Sequence, residues 1–176
     1  HFEVRTHRGS QRLSKGFAGD GIFGGNNQWQ LTVYDKAFQT PDWLEGGIMY
    51  QIFPDRFYKS GAAKGEIPTG RTFHENWQDQ PDWAPNAQGK ITNTDFFGGD
   101  LQGIREKLPY LKELGVTCLY MNPIFESHSN HRYDTADYSK IDPLLGDEED
   151  FRALCQAAKE LGIRVVIDGV FSHTCL

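Results

Sequence analysis

Three short apolar runs, residues 48–53, 116–125 and 163–167, set the rhythm of this chain. Each ends abruptly in polar residues, the pattern of a strand buried on both faces. Between the first two runs, Leu101, Ile104, Leu108 and Leu111 keep one helical face, with Pro109 predicting a kink or restart and Gly115 a stop. Between the second and third, Asp147 is placed to cap a helix whose Phe151, Leu154, Cys155, Ala158 and Leu161 form one stripe, closed by Gly162. The order strand, loop, helix, strand, loop, helix, strand predicts an α/β fold with a parallel sheet covered on both faces. A doubly wound sheet and a (β/α)8 barrel both satisfy that order, and both place their chemistry at the C-terminal ends of the strands.

The pattern before residue 41 is different. It is rich in Gly, Asn and Gln, and its strand signal lies at residues 29–34, where Trp29, Leu31 and Val33 alternate with Gln30, Thr32 and Tyr34. Residues 1–40 therefore read as the end of a β-rich module, and 41–176 as a second domain, with turn signals at Pro41-Asp42 and Gly46-Gly47. Residues 58–95 read as one long loop, a length that compact domains keep for a function.

If the strands are parallel, three polar sets gather on one rim. They are Asp55 and Arg56, then Asn122 with the loop 126–134, then Asp168 and His173. Carboxylates, imidazoles and amides beside aromatic faces suit a neutral polyol such as a sugar. Plainer readings stand beside this one: Asp168 as a turn residue, Tyr133 as a loop anchor, and, more weakly, His128, His131 and His173 as metal ligands. Of the four tryptophans, Trp77 and Trp83 are the candidates for sugar platforms.

Composition narrows the partners. A net charge of −6 with no Lys/Arg cluster excludes a nucleic-acid backbone, and no apolar stretch approaches a membrane span. No Gly-x-Gly-x-x-Gly follows a strand. The nearest candidate, Phe97-Gly98-Gly99-Asp100, puts a carboxylate where a phosphate would sit. Cys118, Cys155 and Cys175 share no metal or redox spacing. With core-like thiols and no signal peptide at His1-Phe2-Glu3, the sequence leans toward the cytoplasm.

Four motifs in register carry a resemblance: residues 50–57 (YQIFPDRF), 95–101 (DFFGGDL), 131–138 (HRYDTADY) and 168–173 (DGVFSH). They resemble the α-amylase family, glycoside hydrolase family 13, and within it the neopullulanase and cyclomaltodextrinase branch. The resemblance implies the first three or so βα units of a (β/α)8 TIM barrel, preceded by the tail of an N-terminal β-sandwich. It implies an α-glucan substrate, with α-1,4 and as an open alternative α-1,6 bonds, cleaved by retaining hydrolysis through two carboxylates. Tyr133 would stack on the sugar, His173 would hydrogen-bond its hydroxyl, Asp168 would orient the rim and Asp134 would support Tyr133. The catalytic carboxylates of the family follow later strands, so none is expected within this chain, and the chain alone is expected to be inactive. Calcium is an open expectation at Gly98 and Asp100. Against it, residues 58–65 lack the Asn and Asp ligands; a different calcium site of the family, which uses the Asn of its first signature, loses that ligand to Ser172. A non-catalytic carbohydrate-binding or scaffold protein is the alternative. An incomplete barrel leaves open strand edges, so order is expected within a larger chain, as the visible part of a longer molecule, or through self-association as a homo-oligomer.

Overall fold

Three antiparallel strands make up the regular structure of residues 1–40 in the computed structural model, which describes residues 1–62 and 68–173. Strand β1 (Phe2–Thr6) pairs with β2 (Gly9–Lys15) across the turn at His7-Arg8, and β2 pairs with β3 (Gly21–Phe23). The strand expected over residues 29–34 is absent. Its alternation has no apolar surface to lie on: Leu31 and Val33 are 86% and 87% exposed. Trp29 instead packs on the Phe2 ring at 5.5 Å and donates its Nε1–H to the Gly19 carbonyl at 3.1 Å. A period-2 pattern makes a strand only where a neighbour completes its ladder and one face is covered.

Residues Pro41–Leu176 form a separate compact unit. It runs β4 (Met49–Ile52), β5 (Thr72–Phe73), β6 (Asp95–Phe96), α1 (Leu101–Glu106), α2 (Leu108–Glu113), β7 (Cys118–Met121), β8 (Phe125–Ser127), β9 (Thr135–Ile141), α3 (Glu148–Glu160) and β10 (Arg164–Ile167). Strands β4, β7 and β10 lie side by side in that order, all parallel, with Met49 and Arg164 both in register with Cys118. The strand tips of all three therefore sit at one end.

The expectation that every strand is apolar and buried holds only for the middle one. Cys118, Leu119 and Met121 of β7 are inaccessible, whereas Met49 and Ile167 on the flanking strands are 45% and 38% exposed. Among the described residues, each flanking strand has a hydrogen-bonded neighbour on one side only, so less of its side-chain surface is covered. The apolar run 116–125 is also two strands rather than one. Asn122-Pro123 separates β7 from β8, because Pro123 has no N–H to continue the ladder.

Leu101, Ile104, Leu108 and Leu111 are each at most 1% exposed, and they meet Leu154 and Ala158 of α3 in the core beneath β7. Fully burying each leucine contributes roughly 1.5–3 kcal/mol. The face continues across a break at Lys107, where α1 ends and α2 restarts with Pro109 in its first turn, a place where its missing N–H costs nothing. At the start of α3, Asp147 accepts the Asp150 amide at 2.9 Å while the Asp150 carboxylate reaches back to the Asp147 amide at 3.2 Å. Asp147→Ala removes this reciprocal cap and is expected to cost about 1 kcal/mol, read as a lower urea midpoint at unchanged slope.

The stretch 58–95 contains more order than a loop. Strand β5 pairs parallel with β6, and Arg71 donates to the Ser127 carbonyl. A second departure is β9, which pairs antiparallel with β8 in a region read as polar loop. Cys175 and Thr174, like residues 63–65 of the stretch weighed for calcium ligands, lie outside the described residues.

Candidate functional site

Two of the sequence motifs interlock at the tip of β4. Asp55, 1% exposed, accepts the backbone amides of Phe97 and Gly98, each at 3.1 Å. The Gly99 amide donates to the Asp55 carbonyl at 2.9 Å. A Cβ on Gly99 would lie 2.2 Å from the Pro54 carbonyl oxygen, so only glycine permits this approach. The glycine turn thus cradles a carboxylate of the chain itself. Asp100, the next residue, caps α1 by accepting the Gly103 amide at 2.6 Å.

Arg56 links this corner to Asp95. Its Nε donates to Asp55 at 2.8 Å, its Nη2 donates to the Asp95 carboxylate at 3.1 Å, and its guanidinium lies 4.3 Å over the Phe97 ring. Asp95 also accepts the Asp82 amide at 3.1 Å on Oδ2 and the Asn130 side-chain amide at 2.9 Å on Oδ1. His74 lies 3.4 Å from Oδ2 and stacks on Phe97. Burial pushes the Asp95 carboxyl upward, but the Asp82 amide, Arg56 and the other donors outweigh it and hold it below its ordinary value. Asp95 therefore stays ionised and ties the long 58–95 stretch to the loop after β8.

That loop presents Tyr133. Its fold is set by Asp134, which accepts the Ser129 amide at 3.1 Å and also the Ser129 hydroxyl. Burial raises the Asp134 carboxyl, and the Ser129 donors more than reverse this, so it too sits below its ordinary value. His131 Nδ1 accepts the Tyr133 amide at 3.1 Å, and burial lowers the His131 pKa, which favours that neutral, accepting form. Arg132 is in the left-handed region, φ 61°, with its side chain 1% exposed and bound to Asp142 at 2.8 Å. The buried arginine below and Asp134 behind leave the Tyr133 ring facing out, 37% exposed.

At the tip of β10, Asp168 meets that ring. The Tyr133 hydroxyl donates to Asp168 Oδ2 at 2.9 Å. His173 Nε2 lies 3.1 Å from the Tyr133 carbonyl, a bond that requires the proton on Nε2. Its Nδ1 is then free to accept from the Ser172 hydroxyl at 3.0 Å. Tyr138 of β9 donates to the Val170 carbonyl and stacks on Phe171, steadying the segment that carries His173.

Of the residues expected from sequence, Tyr133, Asp168 and His173 come together, while Asp134 braces the loop from behind. Gly98 and Asp100 stand apart, beside the long stretch. Sequence reasoning missed Tyr120, whose phenol is raised by its interaction with the same Asp168 carboxylate. The signal for it was a hydroxyl within an otherwise apolar strand.

The Tyr133 phenol is pushed up to about 12, first by burial and then by Asp168. A folded-state pKa above the ordinary 10 means the folded chain holds this proton more tightly. Its contribution to stability is complete below pH 10 and is lost as pH rises through about 12. An ultraviolet difference titration is expected to show two phenols, Tyr120 and Tyr133, ionising late, and Asp168→Asn to bring both back toward 10.

The calcium expectation can be set against the donors. Both Asp100 oxygens already accept protein hydrogens, from Gly103 on one and from the Ser60 hydroxyl at 2.9 Å on the other. Calcium takes six to eight oxygens. Among the described residues, no group of three His, Cys, Asp or Glu side chains could hold a metal. Asp100 is thus engaged by donors of the chain itself.

The chain is similar to the "Amylopullulanase" of Thermoanaerobacter thermohydrosulfuricus, 51% identical over 162 residues, covering 85% of this chain and 11% of that protein. It is 40% identical over 158 residues to "Neopullulanase 2" of Thermoactinomyces vulgaris, covering 90% and 25%. A solved structure of the cyclic α-maltosyl-(1→6)-maltose hydrolase of Arthrobacter globiformis in complex with maltose superposes with a TM-score of 0.61 at 40% identity. It covers 76% of this chain and 27% of that one. The chain thus spans a quarter or less of the curated relatives it matches. These likenesses assign the TIM-barrel class, in agreement with the parallel β4-β7-β10 order. Residues 51–176, which contain the whole Tyr133 rim, match the alpha-amylase catalytic domain, and the chain belongs to that family.

Proposed function

We propose that this chain is the substrate-holding part of an α-glucan hydrolase, comprising the first three βα units of its barrel, with residues 1–40 the end of a preceding β-sandwich. Tyr133 takes the apolar face of a glucose ring. The ring's hydroxyls meet Asp168, an acceptor, and His173. Asp134 acts one step back, by fixing the loop on which Tyr133 stands. The observation that carries this reading is the bonded array itself: an exposed tyrosine ring whose hydroxyl is held by Asp168 at 2.9 Å and whose carbonyl is held by His173 at 3.1 Å. Rigid aromatic faces flanked by fixed polar groups are what a sugar subsite needs.

The chain contributes no catalytic carboxylate in this reading. Retaining hydrolysis needs a nucleophile and a proton donor about 5–5.5 Å apart. Asp55, Asp95 and Asp142 are each committed to backbone amides or arginines inside the protein. Asp168 is committed to Tyr133.

The test is a titration of the chain with maltoheptaose, and with cellohexaose as a stereochemical control, followed by calorimetry and by the Tyr133 phenol. The expected result is binding of maltoheptaose with a Kd of about 1 mM, corresponding to roughly −4 kcal/mol, none of cellohexaose, and no release of reducing sugar from starch. Equal binding of both sugars, or turnover of starch by the chain, would overturn the reading.

A further inference from the structure

The long stretch between β5 and β6 carries a second aromatic face, Trp83, which the Tyr133 rim does not use. Trp83 is 71% exposed and lines an open cleft of about 390 Å³ together with Gln80, Asp82, Asn86, Lys90 and Thr92. Single exposed apolar residues are ordinary on protein surfaces, but this one stands on a fixed mount. Its own amide donates to the Pro81 carbonyl at 2.9 Å. The preceding residue is tied through the Asp82 amide to buried Asp95 at 3.1 Å. Asn86 also lines the cleft, and its side chain accepts the Gln88 and Lys90 amides, each at 3.0 Å. A large indole is held in water on a backbone that is already ordered, so a ligand meeting it pays little ordering entropy.

The lining specifies the ligand chemistry. Gln80, Asn86 and Thr92 line the same cleft as the indole, and its two charged residues, Asp82 and Lys90, are opposite in sign. An indole face among neutral donors and acceptors matches a polyhydroxylated ring and offers no concentrated charge to an anion.

One carboxylate connects this cleft to the rim. Asp95 Oδ2 holds the Asp82 amide, and Oδ1 holds the Asn130 side chain. The Asn130 amide also donates to the Asn93 carbonyl at 2.7 Å. Trp83 lies one residue from Asp82, and Tyr133 lies three from Asn130. The two rings thus hang from the two oxygens of Asp95 on at most about 14 Å of backbone in all. We propose that Trp83 and its cleft form a second α-glucan contact, engaged by chains long enough to extend beyond the Tyr133 rim. The inference rests on the glucan reading of that rim.

The experiment uses the whole chain labelled with nitrogen-15, so that each tryptophan indole gives its own resonance. Maltoheptaose is expected to shift the Trp83 indole and leave Trp29 unmoved. Trp83→Ala is expected to weaken maltoheptaose binding about three- to tenfold while maltose affinity stays within about twofold. Tyr133→Ala is expected to weaken both sugars. If maltoheptaose binds and Tyr133→Ala weakens it, but the Trp83 resonance stays still or Trp83→Ala changes nothing, the second contact is overturned and the rim stands. If neither sugar perturbs any resonance, the rim and the second contact fall together.

Discussion

Arg132→Met is expected to destabilise residues 41–176 by about 3–5 kcal/mol, because it leaves Asp142 charged and buried without its partner. Both side chains are 1% exposed, and the Arg132 Nε to Asp142 Oδ2 bond is 2.8 Å. Asp142 cannot simply turn to water, since its other oxygen holds the Leu144 amide at 2.9 Å. Arg132 in turn donates Nη1 to the Asn130 carbonyl at 2.9 Å and lies against the Phe96 ring. The pair therefore pins the loop before β9 to the turn after it. Urea unfolding is the measurement, with a lower midpoint at unchanged slope. A cost below about 1 kcal/mol would mean that solvent reaches Asp142 and that the loop is held elsewhere. Arg132→Lys is the informative companion. It keeps a charge but loses the planar fork, and is expected to recover only part of the loss.

The second large effect falls on binding. Tyr133→Ala is expected to weaken maltooligosaccharides by roughly ten- to a hundredfold, about 1.5–3 kcal/mol, by removing the apolar face proposed to take a sugar ring. Tyr133→Phe keeps the face and removes only the hydroxyl. Its expected cost is about 0.5–1.5 kcal/mol. The ratio between the two variants, from calorimetry, separates a platform from a hydrogen-bonding group. Equal losses in both would show that the hydroxyl, held by Asp168, is what the sugar depends on.

Much of this architecture was legible along the chain. The stripe on α3, its Asp147 cap and the restart at Pro109 are local properties, set by residues within a turn or two of one another. The rim residues were legible for a different reason: polar side chains directly after apolar strands have few other places to go. What could not be read is non-local. Nothing near Asp95 in sequence marks it as the acceptor of Arg56, Asp82 and Asn130, and Arg56 and Asn130 lie 39 and 35 residues away. Strand β9 was missed because Thr135, Asp137 and Ser139 put polar groups on one face while Ala136 and Tyr138 shared the other. The period was present without the apolar contrast that reveals it. Residues 29–34 show the converse, a strong alternation with nothing to pack against.

The β5–β6 pair has an evolutionary consequence. Because Phe73 lies in register with Phe96, residues 74–94 leave the body of the unit and return to it at nearly the same point. Between its anchors, Asp82 on Asp95 and Asn93 on Asn130, such a segment can change length without moving the parallel strands β4, β7 and β10. Doubling a loop costs only about 0.6 kcal/mol in closure entropy. Residues 85–92, between those anchors, form a cassette whose sequence can vary while the β4-β7-β10 sheet is left untouched.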